Sequence, residues 1–485
     1  MSVSESNIEV VANSSARDPK FRDAALLTVS QFARLGLRLI FMLAAARALG
    51  PDRFGVYVLV LAVLEMVAVA GGAGFVDFLT RETAKDEGLG WRAGIQLILL
   101  RSSYAAPLAM AALGVLWLLG YPGAVLSWAA VMFATLIPRA ASECVQGVLR
   151  GVCRYGSFLL IDLTVGVVLV AGGGWLLVRG SGGVSFVVGT ELMAAIAAAM
   201  LALTFLVVTG KAQRKWLSWR GLVTKTLVFN YYPLATTMYD RIDVVLLSKL
   251  AGDFATGIYG LAYRALSALR LIPYGVLFSI LPSLSRDTWG AAEKQRLERA
   301  MGLLLSVGYL AVLGTVAFAG PAVDMLLGPR YAGSALAIEI LIWAIVPMYI
   351  NFALNTGLLA TSREKVFTST SSVCLAVNLI SNLVLIPFFS WKGAAAATLV
   401  TEATLLLQNI FWIRKTMGSV PVPSHAVRTT FAFLVLLAAL LVGGHFAPPL
   451  LVGTMCVLAF LAYLYQAQAL CQFAATWRQE RGSPA

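Results

Sequence analysis

Charge is scarce in this chain. Asp, Glu, Lys and Arg together make up 13% of its 485 residues, against about 25% in an ordinary soluble domain. Histidine occurs twice, at His425 and His445, and cysteine five times, at Cys144, Cys153, Cys374, Cys456 and Cys471. The thiols are odd in number and lack ligand spacing, and the histidines complete no cluster, so neither a disulfide framework nor a metal centre is expected. A phosphate-cradling glycine loop, a nucleophile elbow and a metalloprotease helix are all missing. The residues for covalent catalysis or nucleotide hydrolysis are therefore lacking, and the chain is not expected to be an enzyme. No cofactor is expected, a coupling proton or sodium ion aside.

Apolar residues are abundant, at 59% of the chain. They gather in fourteen runs, from 24–46 and 54–76 to 429–446 and 450–471, each near the roughly 20 residues that a membrane crossing needs. The remainder is too short for an independently folded soluble domain. If transport is active, its energy should come from an ion gradient, the membrane potential or a downstream process. The fold class expected is all-α and integral to the membrane.

The net charge of +13 would suggest nucleic acid in a soluble protein, but here it reports topology, because positive charge collects on the cytoplasmic side. With a cytoplasmic N-terminus, the inside segments hold twenty-five Lys and Arg and the outside ones six. Both termini are thus expected in the cytoplasm, and no nucleic-acid partner is expected. The first 23 residues are polar and show no signal-peptide pattern, so the first run should remain as a span. The expected plan is a tail at 1–23, six spans over 24–208, a basic linker at 209–225 and six spans over 226–413. A linker at 414–428, two spans over 429–471 and a tail at 472–485 complete it. Tryptophans near the span ends, Trp91, Trp391 and Trp412 among them, fit an interfacial belt. Prolines inside the runs, at 107, 138, 233, 273 and 347, are candidate kinks.

An internal repeat is visible. Gly50, Gly55 and Tyr57 recur as Gly252, Gly257 and Tyr259 at an offset of 202, with Val56 answering Ile258; Gly147 and Leu149 recur as Gly357 and Leu359 at 210. Spans one and seven both start inside, so the halves are parallel repeats.

Six arginines fall within the runs: Arg34, Arg38, Arg101, Arg241, Arg264 and Arg270. An intramembrane arginine is costly unless it meets a polar cavity or a partner. Arg34 and Arg38 share a face of span one, while Arg101 lies close enough to the inner surface to snorkel. For Arg34, Arg38, Arg264 and Arg270 no carboxylate lies within a helical turn in sequence. These four are the candidate substrate-binding residues, and guanidinium forks suit the oxygens of a phosphate or pyrophosphate. Asp240, Arg241 and Asp243 form a second group, read either as an ion pair centred on Arg241 or as an ion-coupling site.

Four stretches carry a family resemblance: Arg47 to Tyr57 (RALGPDRFGVY), Asp240 to Ser248 (DRIDVVLLS), Gly257 to Arg264 (GIYGLAYR) and Gly328 to Tyr331 (GPRY). In them the chain resembles polysaccharide-repeat flippases of the multidrug, oligosaccharidyl-lipid and polysaccharide exporter superfamily. The resemblance implies a V-shaped, MATE-like pair of six-helix lobes around a cationic lumen, with two extra C-terminal helices. It implies the flipping of undecaprenyl-pyrophosphate-linked oligosaccharide by alternating access in a bacterial cytoplasmic membrane, for O-antigen, capsule or exopolysaccharide assembly. The partners implied are that lipid-linked oligosaccharide, membrane lipids and other proteins of the pathway such as a polymerase. A peptidoglycan-precursor (lipid II) flippase shares the architecture and is the main rival. A multidrug-cation antiporter would call for an acidic cavity, which the arginine excess disfavours.

Overall fold

The computed structural model describes residues 21–481 apart from 73, 181, 210–217, 271, 274–275, 277–290 and 361–363. Residues 1–20 of the expected N-terminal tail, 210–217 of the basic linker and 482–485 of the C-terminal tail lie outside the described residues. Among the described residues every regular element is a helix. Twelve helical segments among the described residues are long and apolar enough to cross a membrane.

Two of the twelve are double. Val29–Ala70 has 42 residues, or about 63 Å at 1.5 Å per residue, twice a hydrocarbon core of about 30 Å. Its helix, α1 (Phe21–Ala70), leaves helical geometry at Gly50, with φ 72° and ψ 168°. The helix α8 (Trp219–Leu269) does the same at Gly252, with φ 85° and ψ 177°. Only glycine adopts such angles without strain. Counting each side of these breaks, helix is found in each of the fourteen apolar runs of the sequence.

The chain divides into two compact units. One comprises Met1–Ala48 and Val60–Thr237; the other comprises Leu49–Leu59 and Met238–Ala485. The first holds both ends of α1, then α2 (Gly74–Lys85), α3 (Glu87–Leu118), α4 (Gly123–Phe133), α5 (Leu136–Gly151), α6 (Tyr155–Arg179) and α7 (Val184–Thr209). The Asp86 side chain caps α3 by accepting from the Leu89 N–H at 3.0 Å. The core gathers Phe75, Leu79, Trp91, Leu97, Val148 and Ile161. Trp91 is fully buried there, which corrects its assignment to an interfacial belt. The expected fourth span is interrupted between α4 and α5 at Ala134–Thr135. Pro138 explains the break, since its ring clashes with the carbonyl four residues earlier, that of Ala134. Pro107 and Pro233, by contrast, sit inside α3 and α8.

Small residues set the helix spacing, as expected where van der Waals contact replaces the hydrophobic effect. A side chain at Gly166 of α6 would run into Leu37 of α1, and one at Gly173 would meet Ala44 and Phe41. This seam fixes how α1 lies along α6.

The second unit holds the segment around Gly55 and α8 from Met238 onward, followed by α9 (Ala291–Leu327), α10 (Ala332–Leu341), α11 (Ile345–Ala360), α12 (Glu364–Phe389) and α13 (Trp391–Met417). Its last helices are α14 (Ala426–Gly443) and α15 (Pro449–Arg481). The repeated glycines meet here. A Cβ at Gly55 would strike the Asp253 carbonyl, and one at Gly257 would strike the Pro51 carbonyl. The two helices therefore cross backbone to backbone. Tyr57 and Tyr259, repeat-related, are both fully buried.

Candidate functional site: arginines and carboxylates within the spans

In the first unit, Arg34 and Arg38 occupy the face of α1 that adjoins the glycine seam. Asp162 stands one turn before Gly166 on α6. It is 3% exposed, and its Oδ2 accepts from Ser30 Oγ at 3.2 Å while its Oδ1 accepts from Gln146 Nε2 at 3.0 Å. Arg34 Nη1 lies 3.9 Å from that Oδ1, with 55% of the Arg34 side chain exposed. Arg38 is held more tightly, its Nη2 donating to Glu191 Oε1 of α7 at 2.9 Å. The carboxylates that balance these arginines thus come from helices more than a hundred residues away in sequence.

Arg101 of α3 is buried rather than snorkelling, which corrects the expectation for it. Its Nη2 donates to Glu143 Oε2 of α5 at 2.8 Å, and Arg139 Nε donates to the other oxygen at 3.2 Å. An Arg–Glu–Arg chain, buried at Arg101 and partly exposed at Glu143 and Arg139, therefore ties α3 to α5.

In the second unit, Asp240 of α8 pairs with Arg270, whose Nη1 donates to both carboxylate oxygens at 3.1 and 3.0 Å. Tyr263 Oη also donates to Asp240, at 2.9 Å. Asp240 thus has Arg270 as an ion-pair partner, one that adjacency in sequence does not point to. Arg241 reaches the Asp240 backbone carbonyl at 3.4 Å and lays its guanidinium 5.3 Å from the Tyr263 ring centre. The Arg270 guanidinium lies at the same distance from that ring. Arg264, on α8 one residue beyond Tyr263, is half-buried.

Asp243 is separate from this pair. It is buried at 1% exposure and accepts from the Tyr259 hydroxyl and from the Val244 N–H. Tyr259 in turn shares a hydrogen bond with Thr398 Oγ1 at 3.1 Å. Glu402, 4% exposed, accepts from Asn351 Nδ2 at 3.1 Å. Asp240, Asp243, Arg270, Asn378, Thr398 and Glu402 are among the residues around a cavity of about 10 Å³, room for about one water molecule. Sequence reading missed Glu402, Asn378 and Thr398 as members of this cluster. Their signal was polarity at one face of α12 and α13, at Asn378, Asn382, Thr398, Thr401 and Glu402, each of which is buried.

The family described as polysaccharide biosynthesis protein matches residues 21–287, more than half of the chain. The chain belongs to that family. A second family, MatE, matches residues 233–384. Among curated proteins the chain is similar to a probable low-salt glycan biosynthesis flippase, Agl15 of Haloferax volcanii, with 22% identity over 398 residues, 79% of this chain and 81% of the relative. It is also similar to the probable flippase AglR of the same organism, with 26% identity over 202 residues, 40% of this chain and 41% of that one.

Two solved structures share the fold. The lipid II flippase MurJ in its inward closed conformation superposes with a TM-score of 0.72 at 13% identity, covering 92% of this chain and 100% of that one. A multidrug resistance MATE family transporter in its inward-facing conformation gives 0.63 at 12% identity, covering 80% and 94%. The resemblance to the exporter superfamily read from the sequence is borne out. The chain is a multi-pass, all-helical membrane protein with a MurJ- and MATE-like fold.

Proposed function

We propose that this protein flips a lipid-linked oligosaccharide, carried on undecaprenyl pyrophosphate, from the cytoplasmic to the outer leaflet of a bacterial cytoplasmic membrane, in polysaccharide assembly. One observation carries the reading: a member of a polysaccharide biosynthesis family presents arginines on membrane-embedded helices, with Arg34 more than half exposed. Guanidinium groups at such depth persist where they meet an anion or a carboxylate, and pyrophosphate oxygens suit their fork. In the first unit Arg34 is offered to that anion, with Arg38 held beside it by Glu191; in the second, Arg264 is the corresponding residue, with Arg270 held by Asp240. Transport is by alternating exposure to the two membrane faces. Both termini lie in the cytoplasm, in keeping with the distribution of Lys and Arg along the chain. The likeness to a lipid II flippase speaks to fold, so lipid II is the competing substrate.

Energy coupling falls to Asp243 rather than Asp240 in this reading. Asp240 has its charge balanced by Arg270, whereas Asp243 and Glu402 hold their carboxylates in hydrogen bonds to neutral groups beside the small cavity. Such carboxylates can take a proton or a sodium ion without first breaking an ion pair.

The test is transport in proteoliposomes, comparing an undecaprenyl-pyrophosphate-linked oligosaccharide with lipid II, with and without an imposed proton or sodium gradient. The expected result is flipping of the oligosaccharide lipid that responds to a gradient, and loss of that response in Asp243→Asn with abundance retained. Preference for lipid II would favour the rival substrate, and a gradient response preserved in Asp243→Asn would remove Asp243 from coupling.

A further inference from the structure

Arg34 and Arg38 lie one turn apart on α1, yet they are held differently. Arg38 donates to Glu191 at 2.9 Å, within the range of a charge-assisted hydrogen bond. Arg34 stands 3.9 Å from its nearest carboxylate oxygen, beyond hydrogen-bond reach. Among the described residues it is drawn to Asp162 by charge alone, so its donors stay available. Asp162 cannot follow it outward, because Ser30 and Gln146 each hold one of its oxygens and the residue is 3% exposed. The arrangement is a fixed anion beside a movable cation.

A phosphate could therefore take Arg34 in a bidentate fork without breaking a hydrogen bond, while competing with the attraction of Asp162. A transported ligand has to be bound weakly enough to leave. We propose that Asp162 is a positioning residue that acts as the counter-charge of Arg34: it orients the guanidinium and limits the affinity for an anionic lipid phosphate, so that the ligand is released. Glu191 and Arg38 form the rigid strut alongside. This rests on the proposed function's reading of Arg34 as an anion-binding group.

The test uses the purified full chain in nanodiscs, with undecaprenyl pyrophosphate as the probe and undecaprenol as the uncharged control. Dissociation constant and dissociation rate are measured for each variant. Asp162→Asn should tighten pyrophosphate binding about fivefold, an ordinary coupling factor, and slow dissociation to match. Asp162→Glu, which brings the carboxylate nearer to Arg34, should weaken binding. Arg34→Ala should weaken it about tenfold or more and leave undecaprenol unaffected. A purely structural Asp162 could weaken binding or lower abundance but would not tighten it. If both Asp162 variants weaken binding while Arg34→Ala also does so, the counter-charge is refuted and the anion site stands. If Arg34→Ala binds as the parent does, the anion site itself fails. Should Asp162→Asn not fold, the sign for Asp162→Glu decides, and unchanged or tighter binding there overturns the proposal.

Discussion

Replacing Asp240 by Asn should destabilise the second unit, and replacing Arg270 by Gln in the same chain should restore much of the loss. Arg270 Nη1 sits 3.1 and 3.0 Å from the two Asp240 oxygens. At an effective dielectric of about 20 the gross attraction at that separation is roughly 5 kcal/mol. Removing one partner of a buried pair costs about 3–5 kcal/mol. The low end applies here, about 3 kcal/mol, because 20% of the Arg270 side chain and 25% of the Asp240 side chain remain exposed. The hydrogen bond from Tyr263 weakens as well when its acceptor loses charge, by about 1 kcal/mol. The double variant loses the pair but leaves no uncompensated cation, so it should regain about 2 kcal/mol. The assay is a double-mutant cycle on apparent thermal midpoint in detergent and on membrane abundance, with Arg241→Gln as the comparison. Sequence order favours Arg241 as the partner, being adjacent to Asp240; the geometry favours Arg270. If Arg241→Gln rescues Asp240→Asn as well as Arg270→Gln does, or if neither rescues it, the pairing argued here is wrong.

The glycine crossing gives a second expected outcome: Gly55→Ala and Gly257→Ala should each cost about 2 kcal/mol or more, as overpacking against backbone does, whereas Gly114→Ala, with open space around it, should be neutral or stabilising; equal thermal midpoints for all three would refute the close crossing. Glu143→Gln should strip the buried Arg101 of its counter-charge and cost about 3 kcal/mol, read as lost abundance, and an Arg101→Met change in the same chain should recover part of it. Full abundance of Glu143→Gln alone would mean that Arg101 finds its balance elsewhere.

The fold class and the places of the apolar helices were legible because both rest on local sequence, namely run length and hydropathy. The breaks at Gly50 and Gly252 were foreshadowed by the repeat, which preserves the residue that a positive φ requires. The arginines were legible as costly, yet their partners were not. Arg38 and Glu191 are 153 residues apart, and Arg101 and Glu143 are 42 apart. Helical periodicity gives the face a residue occupies but not the helix that face meets. The same limit explains Trp91, whose position near a span end fits a belt equally well in sequence, while the packing of α3 with α2 and α5 that buries it is tertiary. Asp240 shows the same limit, because its partner Arg270 is 30 residues away and adjacency points first to Arg241. On a helix, consecutive residues point about 100° apart, and it is residues three or four apart that share a face.

The two repeats have kept the backbone devices in common and diverged in charge. Gly50 and Gly252 turn the chain alike, and Gly55 and Gly257 make the same close approach. Beyond that crossing the correspondence fails. At the 202 offset Tyr263 and Arg264 answer Leu61 and Ala62, while Asp240 and Arg241 answer Arg38 and Leu39. The first unit consequently balances its α1 arginines with carboxylates from α6 and α7, whereas the second balances Arg270 from within α8 and leaves Asp243 and Glu402 in hydrogen bonds to neutral groups. A symmetric frame with asymmetric charge can give its two halves unequal tasks, with the ion coupling proposed above carried by the second. That proposal rests on the partners of each arginine and carboxylate, and the Asp162 and Asp243 variants test its two sides independently.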